Sequence, residues 1–239
     1  MDYQKIFKRY ELKYLINVEQ KMRLLSSMSE YMSIDKYGKS DIRNLYFDTE
    51  NYRLIRQSLE KPLYKEKLRI RSYGIAFDSD AVFVELKKKY DHVVYKRRIS
   101  LPYIDANNWL LKNNGRLDLQ ISREIDYFLN FYEGLSPKAF ISYEREAYYM
   151  RNGEDFRVTF DSNILGRSTD LSLSSKTYGR SLLGNGEFLM EIKCSGGIPL
   201  WMVSALSREK IYKTSFSKYG TFYKNEIIKQ GVNNNGKYL

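Results

Sequence analysis

Charged and apolar residues alternate with a period of two along several short segments of the chain. In KLRIRSYG (67–74), Lys67, Arg69 and Arg71 lie on one face of an extended chain, opposite the apolar residues between them. Such alternation, in segments rich in Val, Ile, Phe and Tyr, is typical of β-strands. It predicts strands at 8–14, 42–48, 66–73, 81–88, 94–101, 138–149, 156–161 and 187–194.

Apolar residues recur at helical spacing in the segments between these strands. Asn17 and Thr49 are suitable caps for the first two helices. The predicted helices are 17–32, 50–60, 105–113, 119–133, 199–211 and 215–230. The stretch 162–186 has no clear periodicity and is interpreted either as a functional flap or as a poorly ordered loop.

The succession of strands, with helices inserted, predicts an α+β fold. We expect an eight-stranded, mostly antiparallel β-barrel with helices packed on its outside. The sequence contains no linker and no repeat, so residues 1–230 are predicted to form a single domain. Residues 231–239 are predicted to be a flexible tail.

The polar faces of the predicted strands carry mainly Arg, Lys and Glu. For any single strand, a wet face of a sheet is the simpler interpretation. For all the strands together, the favoured interpretation is that the charged faces point into the barrel. The amphipathic helices would then cover the apolar faces on the outside. The inward set would comprise Arg9, Lys13, Arg69, Arg71, Lys87, Lys96, Arg98, Arg145, Arg157 and Lys193, with Glu11, Glu85, Asp161 and Glu191. Since unpaired buried cations are costly, this set predicts a water-filled bore for a phosphate-rich ligand.

Composition supports an anionic partner. The 239 residues include 40 Lys and Arg against 29 Asp and Glu, a net charge of +11, which fits nucleic acid, an acidic membrane surface or a phosphorylated small molecule. A single cysteine, Cys194, excludes an intramolecular disulfide, and a single histidine, His92, excludes a zinc site built on several histidines. The sequence has no apolar leader and no apolar stretch of about 18 residues. We therefore predict a cytoplasmic protein and leave a membrane partner open.

Eight motifs in order resemble the polyphosphate polymerase (VTC) domain, of bacterial type, in the triphosphate tunnel metalloenzyme or CYTH-like superfamily. The resemblance covers about residues 5–225, and each motif alone is a weak signal. The motifs are ELKYLI (11–16), KLRIRSYG (67–74), VFVELKKK (82–89), YKRR (95–98), YEREAY (143–148), RVTFD (157–161), LMEIKCSG (189–196) and SFSKYG (215–220).

The resemblance implies an ATP-dependent polyphosphate polymerase, a phosphotransferase that passes the γ-phosphoryl group of ATP to phosphate or to a polyphosphate chain inside a tunnel. It implies Glu191 as the ligand of a divalent cation, Mn²⁺ or Mg²⁺. By motif position it assigns catalysis to Arg69, Arg71, Lys87, Arg145 and Glu191, and phosphate binding to Lys13, Lys96, Tyr143, Arg157, Ser217 and Lys218.

Hydrolytic relatives usually begin with E-x-E-x-K, whereas this chain has Arg9 at the first of these positions. An arginine there removes a metal ligand and adds a phosphate ligand, which favours the polymerase. Two alternatives stay open: a triphosphatase on the same fold, and a non-catalytic polyphosphate-binding sensor. The partners expected are ATP and polyphosphate, and nucleic acid is not expected because no recognition motif is present.

Overall fold

The computed structural model describes residues 10–91, 93–112, 114 and 117–228. Arg9, His92 and the predicted tail 231–239 lie outside the described residues. The fold is α+β, as predicted. Its strands are β1 (Tyr10–Asn17), β2 (Met32–Asp48), β3 (Tyr64–Tyr73), β4 (Ala81–Tyr90), β5 (Val93–Pro102), β6 (Ser136–Met150), β7 (Phe156–Arg167), β8 (Arg180–Ser181), β9 (Glu187–Cys194) and β10 (Lys213–Thr214). Its helices are α1 (Val18–Met28), α2 (Arg53–Leu59), α3 (Tyr103–Lys112), α4 (Gln120–Phe131), α5 (Leu200–Arg208), α6 (Lys218–Phe222) and a π-helix (Tyr223–Ile228).

Side-chain oxygens accept hydrogen bonds from the first backbone N–H groups of the first two helices. Asn17 is the N-cap of α1, as predicted, whereas the N-cap of α2 is Tyr52 rather than Thr49. The Asn17 carboxamide accepts a hydrogen bond from the Gln20 backbone N–H at 2.8 Å, and the Gln20 side chain accepts one from the Asn17 N–H at 3.1 Å. Before α2, the Asp48 carboxylate accepts from the backbone N–H groups of Leu54 and Ile55, at 2.9 and 3.0 Å. These bonds satisfy backbone donors that have no partner within the helix.

The ten strands form one sheet in the order β10-β1-β9-β7-β6-β2-β3-β4-β5, with β8 paired to β7. Within the described residues this path is open, with β10 and β5 as its edges, so the closed eight-stranded barrel is not observed there. The described part of the chain contains no helix long and apolar enough to cross a membrane.

The residues divide into two compact units, each assembled from three segments of the chain. The first unit comprises Met1–Ser40, Glu144–Asn163 and Leu183–Phe216, and the second comprises Asp41–Tyr143, Ile164–Leu182 and Ser217–Leu239. The strands β2, β6 and β7 each have residues in both units. The single domain over 1–230 stays a prediction.

Each unit has its own apolar core, built from one face of its strands and the helices that cover it. In the first unit, Val158 and Ile192 pack with Leu24 of α1 and Met202 of α5. In the second unit, Ile70 and Val84 pack with Trp109 of α3 and Phe128 of α4. The apolar residues of the alternating segments are therefore buried, and the charged residues lie on the opposite face of the same strands.

The segment 162–186 is partly strand, since β7 continues to Arg167 and β8 lies at its far end. The loop between them is held by buried arginines. Arg167 donates to the backbone carbonyls of Asp170 at 3.0 Å and Tyr178 at 3.0 Å. Arg43 donates to the Ser175 carbonyl at 2.6 Å. The loop is thus fixed by hydrogen bonds rather than by apolar periodicity, which explains why the sequence pattern gave no sign of its structure.

Candidate functional site

The neighbouring strands β3, β4 and β5 of the second unit align their cations in rows. Lys67 is the cross-strand partner of Lys87, and Lys87 is in turn the partner of Lys96. The adjacent row contains Arg69, Glu85 and Arg98. Directly opposed like charges destabilise a sheet. The lysine row is therefore not favoured by strand pairing, and it concentrates positive charge on this face.

Glu85 is the centre of this group, which we call the Glu85 cluster. Glu85 is buried, with only 1% of the residue exposed. Arg69 approaches one carboxylate oxygen through Nε at 2.8 Å and Nη2 at 2.6 Å. Lys96 Nζ at 2.7 Å and Arg98 Nε at 2.6 Å approach the other. Burial alone would raise the pKa of Glu85, but Arg69, Arg71 and Lys96 hold it far below its ordinary value.

Three cations on one carboxylate leave this cluster with excess positive charge. Burial lowers the pKa of Lys96 from 10.5 to about 8; Glu85 opposes this shift, while Arg98 and Arg69 add to it. The side chain of Lys96 is nevertheless 42% exposed. Lys96 thus has a perturbed ammonium group within reach of a ligand from solvent.

Arg71 lies next to this cluster and is held by neutral partners. Its Nε donates to the Asn44 side-chain oxygen at 2.9 Å, and its Nη2 donates to the Tyr143 hydroxyl at 3.0 Å. Lys218 Nζ lies 4.4 Å from the centre of the Tyr143 ring, a cation–π distance. Tyr143 therefore orients one predicted phosphate ligand and contacts another.

Ser217 connects the start of α6 to the lysine row. Its hydroxyl accepts a hydrogen bond from Lys67 Nζ at 3.1 Å and one from the Gly220 N–H at 3.2 Å. Two residues further on, the Tyr219 hydroxyl donates to the buried Asp48 carboxylate at 3.0 Å. The short helix is thereby anchored at its first turn, with Ser217 beside the cationic face.

The first unit contains a second group, the Glu191 cluster, in which a buried carboxylate again faces several cations. Glu191 is the cross-strand partner of Lys13 and of Thr159. One of its oxygens lies 3.6 Å from Lys13 Nζ, and the other lies 3.4 Å from Arg145 and 3.6 Å from Lys193. Lys13 also donates to the Phe216 carbonyl at 2.9 Å. These distances are longer than those from Glu85 to its cations.

Arg145 is held more firmly by Asp161, through Nε at 2.5 Å and Nη2 at 2.6 Å. This bidentate pair fixes the guanidinium plane. Nearby on β7, two buried polar atoms have no hydrogen-bond partner within the described structure, Thr159 Oγ1 and Arg157 Nε. Such atoms are rare in native proteins and often mark a place that a ligand or water completes.

Glu191 fits a divalent cation that is bound jointly with a substrate. The described residues contain no group of three His, Cys, Asp or Glu side chains able to hold a metal. Mg²⁺ is commonly bound by one or two carboxylates together with substrate phosphates and water, rather than by a complete protein cage. The carboxylate of Glu191 meets that smaller requirement, because its cross-strand neighbour Thr159 has a hydroxyl without a hydrogen-bond partner among the described residues.

The residues predicted from the sequence thus fall into two sets, and their roles in binding and catalysis remain predictions. The second unit holds Arg69, Arg71, Lys87, Lys96, Tyr143, Ser217 and Lys218, and the first unit holds Lys13, Arg145, Arg157 and Glu191.

Sequence reasoning left several participants out of the site. Glu85 and Arg98 belonged to the predicted inward-facing set but were given no role in binding or catalysis. The E-x-K spacing contains Glu85, and the YKRR motif contains Arg98. Lys67 shares the face of Arg69 and could have been found by that spacing. Asn44 carries no charge, so no sequence signal indicated that it binds Arg71.

Comparisons with known proteins concern both the sequence and the fold. The profile of the VTC domain matches residues 8–225. The crystal structure of a "putative adenylate cyclase" from Bacillus halodurans has a similar fold, with 17% identity, a TM-score of 0.54, and coverage of 87% of this chain and 92% of that chain. A "putative adenylate cyclase" from Vibrio parahaemolyticus matches with 11% identity and a TM-score of 0.47, covering 90% and 97% of the two chains. A sequence search of curated proteins gives no match.

Proposed function

The chain belongs to the VTC-domain family, and we propose that it is an ATP-dependent polyphosphate polymerase. The family is the one that the ordered motifs predicted. In the proposed reaction, the γ-phosphoryl group of ATP passes to inorganic phosphate or to the end of a polyphosphate chain. The proposal includes the closed eight-stranded tunnel and the cytoplasmic location expected from the sequence.

The observation that carries the proposal is the charge of the second unit's polar face. Seven of the described cations lie on or beside this face, together with the ion-paired carboxylate Glu85. Guanidinium groups bind phosphate oxygens through two parallel hydrogen bonds, and lysines add point charge. A linear polyphosphate or triphosphate carries a row of negative charges, which complements the rows of lysines and arginines on β3, β4 and β5. The seven cations are Lys67, Arg69, Arg71, Lys87, Lys96, Arg98 and Lys218.

Phosphoryl transfer needs positioning and charge neutralisation more than covalent chemistry from the protein. In the proposed mechanism, Arg69, Arg71 and Lys87 neutralise the charge that develops on the phosphate oxygens. We assign the same role to Arg145 of the first unit, whose guanidinium plane is fixed by Asp161.

The proposed acceptor is itself a phosphate and is ionised at neutral pH, so the reaction needs no general base. A divalent cation held by Glu191 and phosphate oxygens would supply further charge neutralisation when bound. Phosphate binding is assigned to Lys13, Lys96, Tyr143, Arg157, Ser217 and Lys218, as the motifs imply.

The test is incubation of the purified chain with ATP and Mn²⁺ or Mg²⁺, with ADP measured and polymer resolved on a gel. Arg69→Ala and Glu191→Ala should each lower polymer synthesis by about a hundredfold or more, as expected for a lost transition-state contact. The matched control is Arg97→Ala. Arg97 lies next to Arg98 in sequence, but its partner is Glu124 at 3.0 Å, outside the Glu85 cluster.

The products decide among the functions left open by the sequence. Release of inorganic phosphate without polymer would identify a triphosphatase. Tight polyphosphate binding without turnover would identify a sensor. Full turnover in either alanine variant would contradict the role given to that residue.

A further inference from the structure

Two aromatic side chains extend the cationic face of the second unit at one end. Tyr73 follows Arg71 by two residues on β3, and Phe83 precedes Glu85 by two residues on β4, so both lie on the polar face of their strands. Their rings meet edge to face with centroids 5.9 Å apart. Tyr73 is 53% exposed. An aromatic surface therefore begins where the row of charges ends.

Arg98 joins this aromatic pair to the Glu85 cluster. Its guanidinium carbon lies 4.3 Å from the centre of the Phe83 ring, while its Nε donates to the Glu85 carboxylate. The Tyr73 side chain also interacts electrostatically with Arg98. Arg98 thus links the aromatic pair to the carboxylate at the centre of the charges.

The turn beside the pair is fixed by hydrogen bonds from several directions. The Phe77 N–H donates to the Asp80 carboxylate at 2.8 Å, and the Asp80 carbonyl accepts from the Tyr103 N–H at 2.9 Å. The Ala76 N–H donates to the Leu173 carbonyl at 3.2 Å. The chain that leaves Tyr73 is therefore held in place, so the exposed ring is presented without a further ordering step.

We propose that Tyr73 and Phe83 form a base-binding subsite for the nucleoside triphosphate, with its phosphates directed toward Arg71 and Arg69. The inference rests on the proposed function, because it deepens the recognition of ATP. Tyr73 lies four residues from Arg69, about 13 Å along a strand. That distance is comparable with the separation of base and γ-phosphate in an extended nucleoside triphosphate.

The chemistry of the subsite favours a purine base over other occupants. A base stacks on an aromatic ring through its π-face, and an adjacent guanidinium adds cation–π attraction. The free energy of stacking depends little on which base is bound, but it becomes more favourable as the area of the base increases. The subsite therefore accepts adenine and guanine, binds pyrimidines less well, and gives no advantage to inorganic tripolyphosphate, which has no base.

The experiment compares the equilibrium affinities of ATP and inorganic tripolyphosphate by calorimetry at one Mg²⁺ concentration. Tyr73→Ala should weaken ATP binding about tenfold, the loss of one base–aromatic stack, and change tripolyphosphate binding less than about twofold. Phe83→Leu keeps apolar volume without a ring, and it should likewise weaken the binding of ATP relative to that of tripolyphosphate.

Two control variants separate stacking from other effects. Tyr73→Phe keeps the ring and loses the hydroxyl, so it should retain the wild-type preference for ATP. Tyr95→Ala removes a similarly exposed tyrosine of β5 whose sequence position places it on the opposite face from Arg98, and it should change neither affinity.

The outcomes distinguish this inference from the function on which it rests. Equal weakening of both ligands by Tyr73→Ala, or weakening of neither, overturns the base subsite, as does a wild-type chain that binds neither ligand. A base-dependent loss of affinity in a chain that makes no polymer supports the subsite and overturns the polymerase. Polymer synthesis with an unchanged affinity ratio supports the polymerase and overturns the subsite.

Discussion

Glu85→Gln is the substitution that examines the charged face most directly. It keeps the volume of the side chain, so it creates no cavity, and it removes only the negative charge. In the wild-type chain this carboxylate is in contact with Arg69, Lys96 and Arg98. The variant leaves three neighbouring cations without their shared counter-ion, and the stability of the folded chain should fall.

The magnitude follows from the burial of the carboxylate and the exposure of its partners. Removing one partner of a buried ion pair costs about 3–5 kcal/mol. The side chains of Arg69, Lys96 and Arg98 are 20%, 42% and 34% exposed, so water screens part of their repulsion. We therefore expect the lower end, a loss of about 3 kcal/mol, or roughly 6–12 °C in Tm for a chain of this length.

Urea denaturation near neutral pH measures this loss, with Glu124→Gln as the control because the ion pair of Glu124 within the described residues is with one arginine, Arg97. The pKa of Glu85 is lowered in the folded chain, so its contribution is present above its ordinary pKa of 4.5 and is lost as the pH falls below it. Wild type and variant should therefore converge in acid. Inorganic tripolyphosphate should stabilise the variant more than the wild type, because it replaces the missing anion. A loss within about 0.5 kcal/mol, the range of ordinary surface substitutions, would refute the reasoning.

Two further predictions concern single side chains of the two clusters. The pKa of Lys96 is about 8, so raising the pH from roughly 7 to 9 removes a cation and should weaken tripolyphosphate binding. Lys96→Arg, which stays charged, should flatten that dependence in calorimetric titrations, and an equally steep profile in this variant would contradict the assignment. Thr159→Val removes a buried hydroxyl that has no hydrogen-bond partner within the described structure, and it should raise the free energy of unfolding by about 1 kcal/mol. Urea denaturation measures this gain, and a loss of stability would show that the hydroxyl is satisfied in the free protein.

The sequence pattern predicted the faces of the strands better than their ends. Alternation located Leu68 and Ile70 in the core because a slip of one residue would exchange the apolar and charged faces. The first half of β2, residues 32–41, was missed. After Met32 its side chains are exposed or half-buried on both faces, and Gly38 adopts a φ of +59°, so no alternation is visible there. The predicted helix 17–32 was too long for the same reason, since Ser29 ends α1 before this polar strand begins.

Membership of the clusters was less predictable than the fold, because it depends on cross-strand register. Spacing within β3 shows that Lys67 and Arg69 share a face, but it cannot show which residues of β4 and β5 face them. The register places Lys67 opposite Lys87 and Arg69 opposite Glu85. It therefore determines that Glu85 is the carboxylate that forms ion pairs with the arginines. Likewise, alternation determines which side of each strand is apolar and leaves open which strands form the edges of the sheet.

A buried carboxylate within each cationic group has a physical purpose in an anion site. Without Glu85, mutual repulsion would turn Arg69 and Arg98 toward solvent, and their N–H donors would no longer be held in one arrangement. With it, the guanidinium groups are fixed beforehand, and each keeps N–H donors beyond those that bind the carboxylate. Catalysis by charge neutralisation depends on such fixed donors, because none must reorganise as the transition state forms. Removal of the carboxylate leaves more net positive charge to attract free polyphosphate, but fewer fixed donors for the transition state. The binding of polyphosphate should therefore strengthen while its synthesis slows, a divergence that a merely structural ion pair would not produce.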